Sequence, residues 1–192
     1  MSPGFGVGGY CLTKDSLLAD WAYNNNFPGN GHLNLSLQAT AINDLMPTYT
    51  FNLIKRNTDG LEGKRITLLG ISYLNDIADT RYSPSELFYD LCLKEKSIVH
   101  LHDPIVSYWV EKKISIDTEM DNLKNNETDI AIFAVRHSDY LKLTAHEITG
   151  FLPGVKLIVD ANNIIDDEKA LELRNNGIKM IGVGKGHWNV FE

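Results

Sequence analysis

From residue 65 onward, short apolar runs alternate with stretches in which apolar residues return at helical spacing. Residues 65–69, 98–101, 129–135, 155–159 and 179–183 are rich in Ile, Val and Leu, without regular polar alternation. Runs of that length predict strands buried on both faces, as in a parallel sheet. Residues 84–95, 105–112, 138–151 and 166–175 predict helices between them, with a weaker helix over 118–125. The alternation predicts a doubly wound α/β domain, which binds ligands beyond the carboxyl ends of its strands. Those ends carry Gly70-Ile71-Ser72-Tyr73, His102-Asp103-Pro104, Arg136-His137-Ser138, Asp160-Ala161-Asn162-Asn163 and the glycine-rich stretch 182–187.

Upstream of residue 65 the pattern is helical. Leu17, Leu18, Trp21 and Ala22 predict a short helix over 15–23, and the Asn, Pro and Gly of 24–31 predict a loop. A longer helix is predicted over 33–56, where Leu33, Leu37, Ala41, Leu45, Tyr49 and Leu53 recur every fourth residue. Pro47 is expected to kink it. The polar, glycine-containing 59–64 reads as a linker between a helical segment, 1–58, and the parallel-sheet domain, 59–192.

Composition narrows the picture without naming a function. Hydrophobic and charged residues make up 43% and 22% of the chain, as in soluble globular proteins. A net charge of −7 argues against a general nucleic-acid binder, which needs a basic stripe. No apolar run is long enough to span a bilayer, and the glycines at the start leave no apolar core for a secretory signal. Cys11 and Cys92 lie too far apart to suggest a disulfide framework. A reducing, cytoplasmic compartment is the expectation. His100 and His102 share a strand face, but no third ligand stands at a telling spacing, and no metal site is expected.

The candidate chemistry lies at the amino terminus. Gly4, Gly6, Gly8 and Gly9 allow positive φ and close approach of a ligand to the backbone. Gly4, Gly6 and Gly9 also fit the spacing of a dinucleotide fingerprint, but too few residues precede Gly4 for the strand that fingerprint needs. Cys11 follows, just ahead of the predicted helix, with Lys14 three residues on and Asp15 beside it. A thiol so placed suits a thiolate nucleophile. The bland alternative is a flexible glycine-rich start with a buried structural Cys. Further along, Ser83 suits an N-cap, Pro84 the first helical position, and Glu86 a capping box.

The segment 4–15 resembles the active-site cysteine segment of the UDP-glucose/GDP-mannose dehydrogenase family. Residues 69–84 and 181–186 resemble further family segments in the same order, so the resemblance spans nearly the whole chain. It implies a Rossmann-like fold for the second domain and an NAD-dependent oxidation of a UDP-sugar's primary alcohol to a carboxylate. Cys11 would attack the intermediate aldehyde, giving a thiohemiacetal and then a thioester that water hydrolyses. Asp15 would orient or deprotonate that water, and Lys14 would lower the Cys11 pKa or approach the cofactor. Phe5, Gly6, Gly8 and Gly9, with Tyr73, Leu74 and Asn162, would hold the substrate, and Arg81 would reach the cofactor phosphates. The helix over 33–56 would form a homodimer interface. The family carries a nucleotide-binding domain ahead of this segment, so the resemblance implies a carboxy-terminal part, inactive alone, with NAD held mainly by the missing domain.

Three positions depart from the family. Leu74 stands where the family has Lys, Tyr82 where it has Glu, and Asn162 where it has Arg. The changes at Leu74 and Asn162 hint at a pocket unlike that for UDP-glucose, and the family resemblance implies a UDP-N-acetylhexosamine as the substrate class. The lost cations also favour an alternative, a non-catalytic module that binds a sugar nucleotide and dimerises. The intact Cys11, Lys14 and Asp15 favour the enzyme. A stand-alone dinucleotide-binding protein fits the α/β alternation but lacks any strand–glycine–helix unit.

Overall fold

The computed structural model describes residues 4–27 and 31–190. Its strands are β1 (Arg65–Leu69), β2 (Ile98–His102), β3 (Tyr108–Trp109), β4 (Ile114–Ser115), β5 (Ile130–Phe133), β6 (Leu157–Asp160) and β7 (Lys179–Gly182). Its α-helices are α1 (Tyr10–Asn26), α2 (Asn34–Arg56), α3 (Pro84–Lys94), α4 (Met120–Leu123), α5 (Ser138–Lys142), α6 (Ala145–Phe151) and α7 (Asp167–Asn175). Five strands form one parallel sheet in the order β2-β1-β5-β6-β7. The predicted α/β class holds, with helical segment first and parallel sheet second.

The sheet is buried from both sides, which explains its near-continuous apolar strands. Ile66, Leu68, Ile130, Ile132 and Val159 share a core with Phe51 and Ile54 of α2 and Phe88 and Cys92 of α3. The alternate residues Ala131, Phe133, Ile158 and Met180 share a second core with Tyr140, Ile148 and Leu173 from α5, α6 and α7. Each large apolar side chain so buried contributes roughly 1.5–3 kcal/mol.

The register sets up the functional edge. Leu69 stands opposite both His102 and Phe133, Phe133 opposite Asp160, and Asp160 opposite Gly182. The strand-end motifs therefore form one row. Chain order reverses between β1 and β5, the switch point at which such sheets open a crevice. There Gly70 has φ +104°, and a Cβ on it would lie 2.4 Å from Val135 Cβ. Only glycine lets the two strand ends come so close.

Several expected elements differ. Residues 105–112 were expected to be helical. Instead the Asp103 carboxylate accepts the N–H groups of Ile105 and Val106, turning the chain. Tyr108 and Trp109 then pair antiparallel with Ile114 and Ser115, as their aromatic and β-branched neighbourhood favours. The predicted helix over 138–151 is two helices. Leu143 is extended, and Thr144 opens α6 with a capping box to Glu147.

α1 begins at Tyr10, so Cys11 lies within its first turn and not ahead of it. At the other end Asn24, Asn25 and Asn26 extend the helix, each side chain donating to the carbonyl four residues back. Of the predicted loop, Pro28, Gly29 and Asn30 lie outside the described residues. α2 runs on through Pro47 as one assigned helix. Its buried residues include Pro47, Phe51 and Ile54, while Leu45 and Tyr49 are exposed. A strict four-residue repeat drifts about 40° per step around a 3.6-residue turn, so it could not mark one buried face. Ser83 caps α3 by accepting from Ser85 N–H, with Pro84 following. Glu86 does not close a capping box; its carboxylate pairs with Lys112 at 3.1 Å.

Candidate active site

A cleft of about 350 Å³ opens at the carboxyl ends of β1, β5 and β6, over the switch point. Phe5, Gly6, Gly8, Tyr73, Leu74 and Asn162 all line it. The structure thus gathers six residues that the sequence singled out from three distant segments. Gly9 lies beside them, against the Tyr73 ring.

Packing explains why the amino-terminal loop needs glycine. A Cβ on Gly8 would stand 2.5 Å from the Tyr82 carbonyl and 2.7 Å from Tyr73 Cβ. One on Gly4 would stand 2.7 Å from Asn162 Oδ1. Phe5 anchors the loop, buried edge-on against Phe88 with ring centroids 5.3 Å apart. Gly9 N–H donates to the Arg81 carbonyl at 3.2 Å. From α2, Asn43 makes a two-point bond to the loop. Its Oδ1 accepts from Val7 N–H at 2.7 Å, and its Nδ2 donates to Val7 O at 2.8 Å. Sequence reasoning gave Asn43 no part, since a polar residue in mid-helix carries no signal of its own.

Below the cleft lies a buried polar floor. Asp103 Oδ2 accepts from Ile71 and Ser72 N–H, and its Oδ1 from Ile105 and Val106 N–H. His137, also fully buried, brings Nε2 within 3.1 Å of Asp103 Oδ2 and 3.2 Å of Ser72 Oγ. Its Nδ1 accepts from Asp76 N–H at 3.0 Å, which puts the ring proton on Nε2. Burial pushes the Asp103 carboxyl up, but the hydrogen bonds from His137, Ile71 and Val106 prevail and hold it at about 2. Asp76 in turn accepts from the Ser138 amide and hydroxyl, which hold its carboxyl below the usual range. The loop carrying Tyr73 and Leu74 is therefore fixed at Ile71, Ser72 and Asp76. Asp103 and His137 were legible only as strand-end polar residues, and their pairing needed the fold.

Asp160 does the same for the next strand end. Buried as the last residue of β6, it accepts from the N–H groups of Asn162, Ile164 and Ile165. Burial raises its carboxyl pKa against those bonds. The turn so formed holds Asn163 at φ +55° and lets Asn162 Nδ2 donate to Ala134 O at 3.2 Å.

The proposed catalytic residues stand apart from this floor. Cys11, Lys14 and Asp15 are exposed on neighbouring turns of α1. Lys14 Nζ pairs with Asp15 Oδ1 at 3.1 Å, and no described side chain bonds the Cys11 sulfur. Of this first stretch of α1, Leu12 lines the cleft, whereas Thr13 and Lys14 line a second groove of about 500 Å³ among α1, α2 and α3. That larger groove lies away from the strand ends, where the topology places ligands. Arg81 is held by both Asp79 oxygens, donating from Nε to Oδ1 and from Nη2 to Oδ2, with its guanidinium carbon 4.8 Å from the Tyr10 ring centroid. The Arg81 guanidinium holds the Asp79 carboxyl below the usual range.

A family model described as the UDP-glucose/GDP-mannose dehydrogenase family, UDP binding domain, matches residues 67–167. The UDP-N-acetyl-D-mannosamine dehydrogenase of Methanococcus aeolicus is 26% identical over 189 residues, covering 96% of this chain and 40% of that protein. The UDP-glucose 6-dehydrogenase of Rickettsia conorii is 28% identical over 193 residues, covering 96% and 42%. The solved NDP-N-acetyl-D-galactosaminuronic acid dehydrogenase of Methanosarcina mazei has a TM-score of 0.82 at 28% identity, covering 96% of this chain and 39% of that one. The chain thus spans about 40% of the length of the proteins it matches.

Proposed function

We propose a function from one premise: this chain belongs to the UDP-glucose/GDP-mannose dehydrogenase family. Within that family we assign it the part that binds a UDP-sugar and carries the nucleophile for oxidation of the C6 alcohol to a uronate. The observation that carries the reading is the cleft at the β1–β5 switch point, where the glycine-rich loop meets Tyr73, Leu74 and Asn162. The division at residue 59 then separates a catalytic helical segment from a nucleotide-binding domain.

In this reading the Cys11 thiolate adds to the aldehyde carbon at C6 to give a thiohemiacetal, which becomes a thioester on sulfur when its C6 hydride passes to the oxidant. Water, oriented by Asp15, cleaves it to the carboxylate and frees the thiolate. Lys14 and Arg81 are the cations this stretch offers to the cofactor. NAD is the oxidant the reading calls for, yet the described residues do not build a dinucleotide cradle. Among the described residues no strand leads into Gly4, Gly6 and Gly9, and Gly70 packs against Val135. NAD would therefore be held mainly by residues outside this stretch.

The preferred substrate class is a UDP-N-acetylhexosamine. Relatives named for N-acetyl sugars, from Methanococcus aeolicus and Methanosarcina mazei, support that choice. A homodimer through α2 is supported by Leu35, Ile42 and Leu45, which are 82%, 63% and 61% exposed along one helix face. The reaction suits a cytoplasmic protein; among the described residues no helix is long and apolar enough to cross a membrane.

A second reading, a non-catalytic sugar-nucleotide-binding and dimerisation module, is favoured by one observation: Lys14 pairs with Asp15 and not with the thiol. Alkylation separates the two. If Cys11 is the nucleophile at a sugar site, UDP-N-acetylmannosamine should slow its reaction with iodoacetamide at neutral pH by about tenfold. Unchanged alkylation with the ligand demonstrably bound would leave only the module.

A further inference from the structure

The cleft is nearly devoid of charge, although the reading above sends a nucleoside diphosphate into it. Tyr73, Leu74, Asn162, Phe5 and the glycines supply rings, an amide, apolar surface and backbone, but no cation. A diphosphate leaving water needs charge-assisted donors to replace its hydration. The resemblance puts family cations at positions 74 and 162, and this chain has Leu and Asn there.

One charged side chain lines the cleft among the described residues: Arg136, three residues beyond the last of β5. It is exposed, and its Nε donates to the Asn163 carbonyl at 3.1 Å. That carbonyl belongs to the turn that Asp160 holds in place, so the guanidinium is pinned between the ends of β5 and β6. No described carboxylate pairs with it. Arg65 and Arg81, by contrast, are both engaged by carboxylates. A guanidinium bonded through Nε alone keeps its two terminal nitrogens for a bidentate partner, and phosphate oxygens fit that fork.

We propose that Arg136 receives the diphosphate of the nucleotide, supplying from the end of β5 the charge that Leu74 and Asn162 do not. The proposal rests on the UDP-sugar reading. It makes Arg136 a binding residue of this chain, at a place distinct from both substituted positions.

The test is titration of this chain with UDP and, in parallel, with uridine, which lacks the phosphates. Arg136→Gln should weaken UDP binding about tenfold or more while leaving uridine binding unchanged. Arg136→Lys, which keeps the charge, should fall between the two. The salt dependence of UDP binding should flatten in Arg136→Gln. UDP binding undiminished in Arg136→Gln would overturn the assignment and leave the cleft reading standing. Equal losses of UDP and uridine would also overturn it, showing that Arg136 acts only by holding the Asn163 turn. A wild-type chain that binds no UDP would bring down the cleft reading and the proposal together.

Discussion

The floor beneath the strand ends and the surface of α1 are built on opposite principles. At the floor, Asp103, His137 and Asp160 are fully buried and meet their hydrogen bonds almost entirely within the loops they shape. On α1, Asp20 is the buried residue, while Leu12, Leu18 and Trp21 stand 72%, 57% and 62% exposed. A buried carboxylate satisfied by backbone amides fixes geometry before any ligand arrives. An exposed thiol beside an exposed ion pair fixes very little. The floor under the proposed binding cleft is therefore preformed, whereas the proposed catalytic residues are surface chemistry that other contacts must complete.

Removing the floor is the harshest way to break this contrast. Asp103→Ala strands four backbone N–H groups, those of Ile71, Ser72, Ile105 and Val106. It should cost about 3–5 kcal/mol in urea unfolding. Cys11→Ser, on the exposed helix, should shift the same curve by less than about 0.5 kcal/mol.

Acid should dissect the floor in two stages. Burial holds His102 at about 4, down from 6.5, so between those values the unfolded chain binds more protons than the folded one. Stability should be full above pH 6.5 and fall by about 3 kcal/mol as the pH drops to about 4. Asp103, lowered from 3.8 to about 2, contributes above its unfolded pKa and loses that contribution as the pH falls toward 2. Urea unfolding at a series of pH values measures both stages, and His102→Gln should flatten the first.

A milder perturbation reaches the switch point alone. Gly70→Ala forces a Cβ against Val135 at positive φ and should cost about 2–3 kcal/mol in the same unfolding assay. The smallest stability effect belongs to the helix surface. Ile42→Glu with Leu45→Glu should leave unfolding within about 0.5 kcal/mol of wild type. Sedimentation should nevertheless show the double variant as a monomer at concentrations where the proposed homodimer of the wild type forms.

How much of this could be read from the sequence follows the same division. The sheet was legible because strands buried on both faces leave unbroken runs such as Ile130-Ala131-Ile132-Phe133. The site segments were legible because glycine clusters and strand-end polar residues are local signals. The ribbon at β3 and β4 was not, since Asp103 diverts the chain by hydrogen bonds that composition does not announce. The start of α1 was misjudged because the apolar pattern begins at Leu17, while the helix is set going earlier, at Gly9 with φ +81°. Asn43 and the His137–Asp103 pair join residues more than thirty positions apart, and no local pattern encodes such contacts. Arg136 stood among the strand-end residues, but that no described carboxylate pairs with it became visible only in the folded cleft.

The central claim, that the switch-point cleft is the nucleotide site, is tested most directly by amide NMR of this chain titrated with UDP. The amides of Gly6, Gly8, Tyr73, Leu74, Arg136 and Asn162 should shift together with one dissociation constant. Shifts confined to the groove around Lys14, Asp44 and Asp90, or none at all, would contradict it.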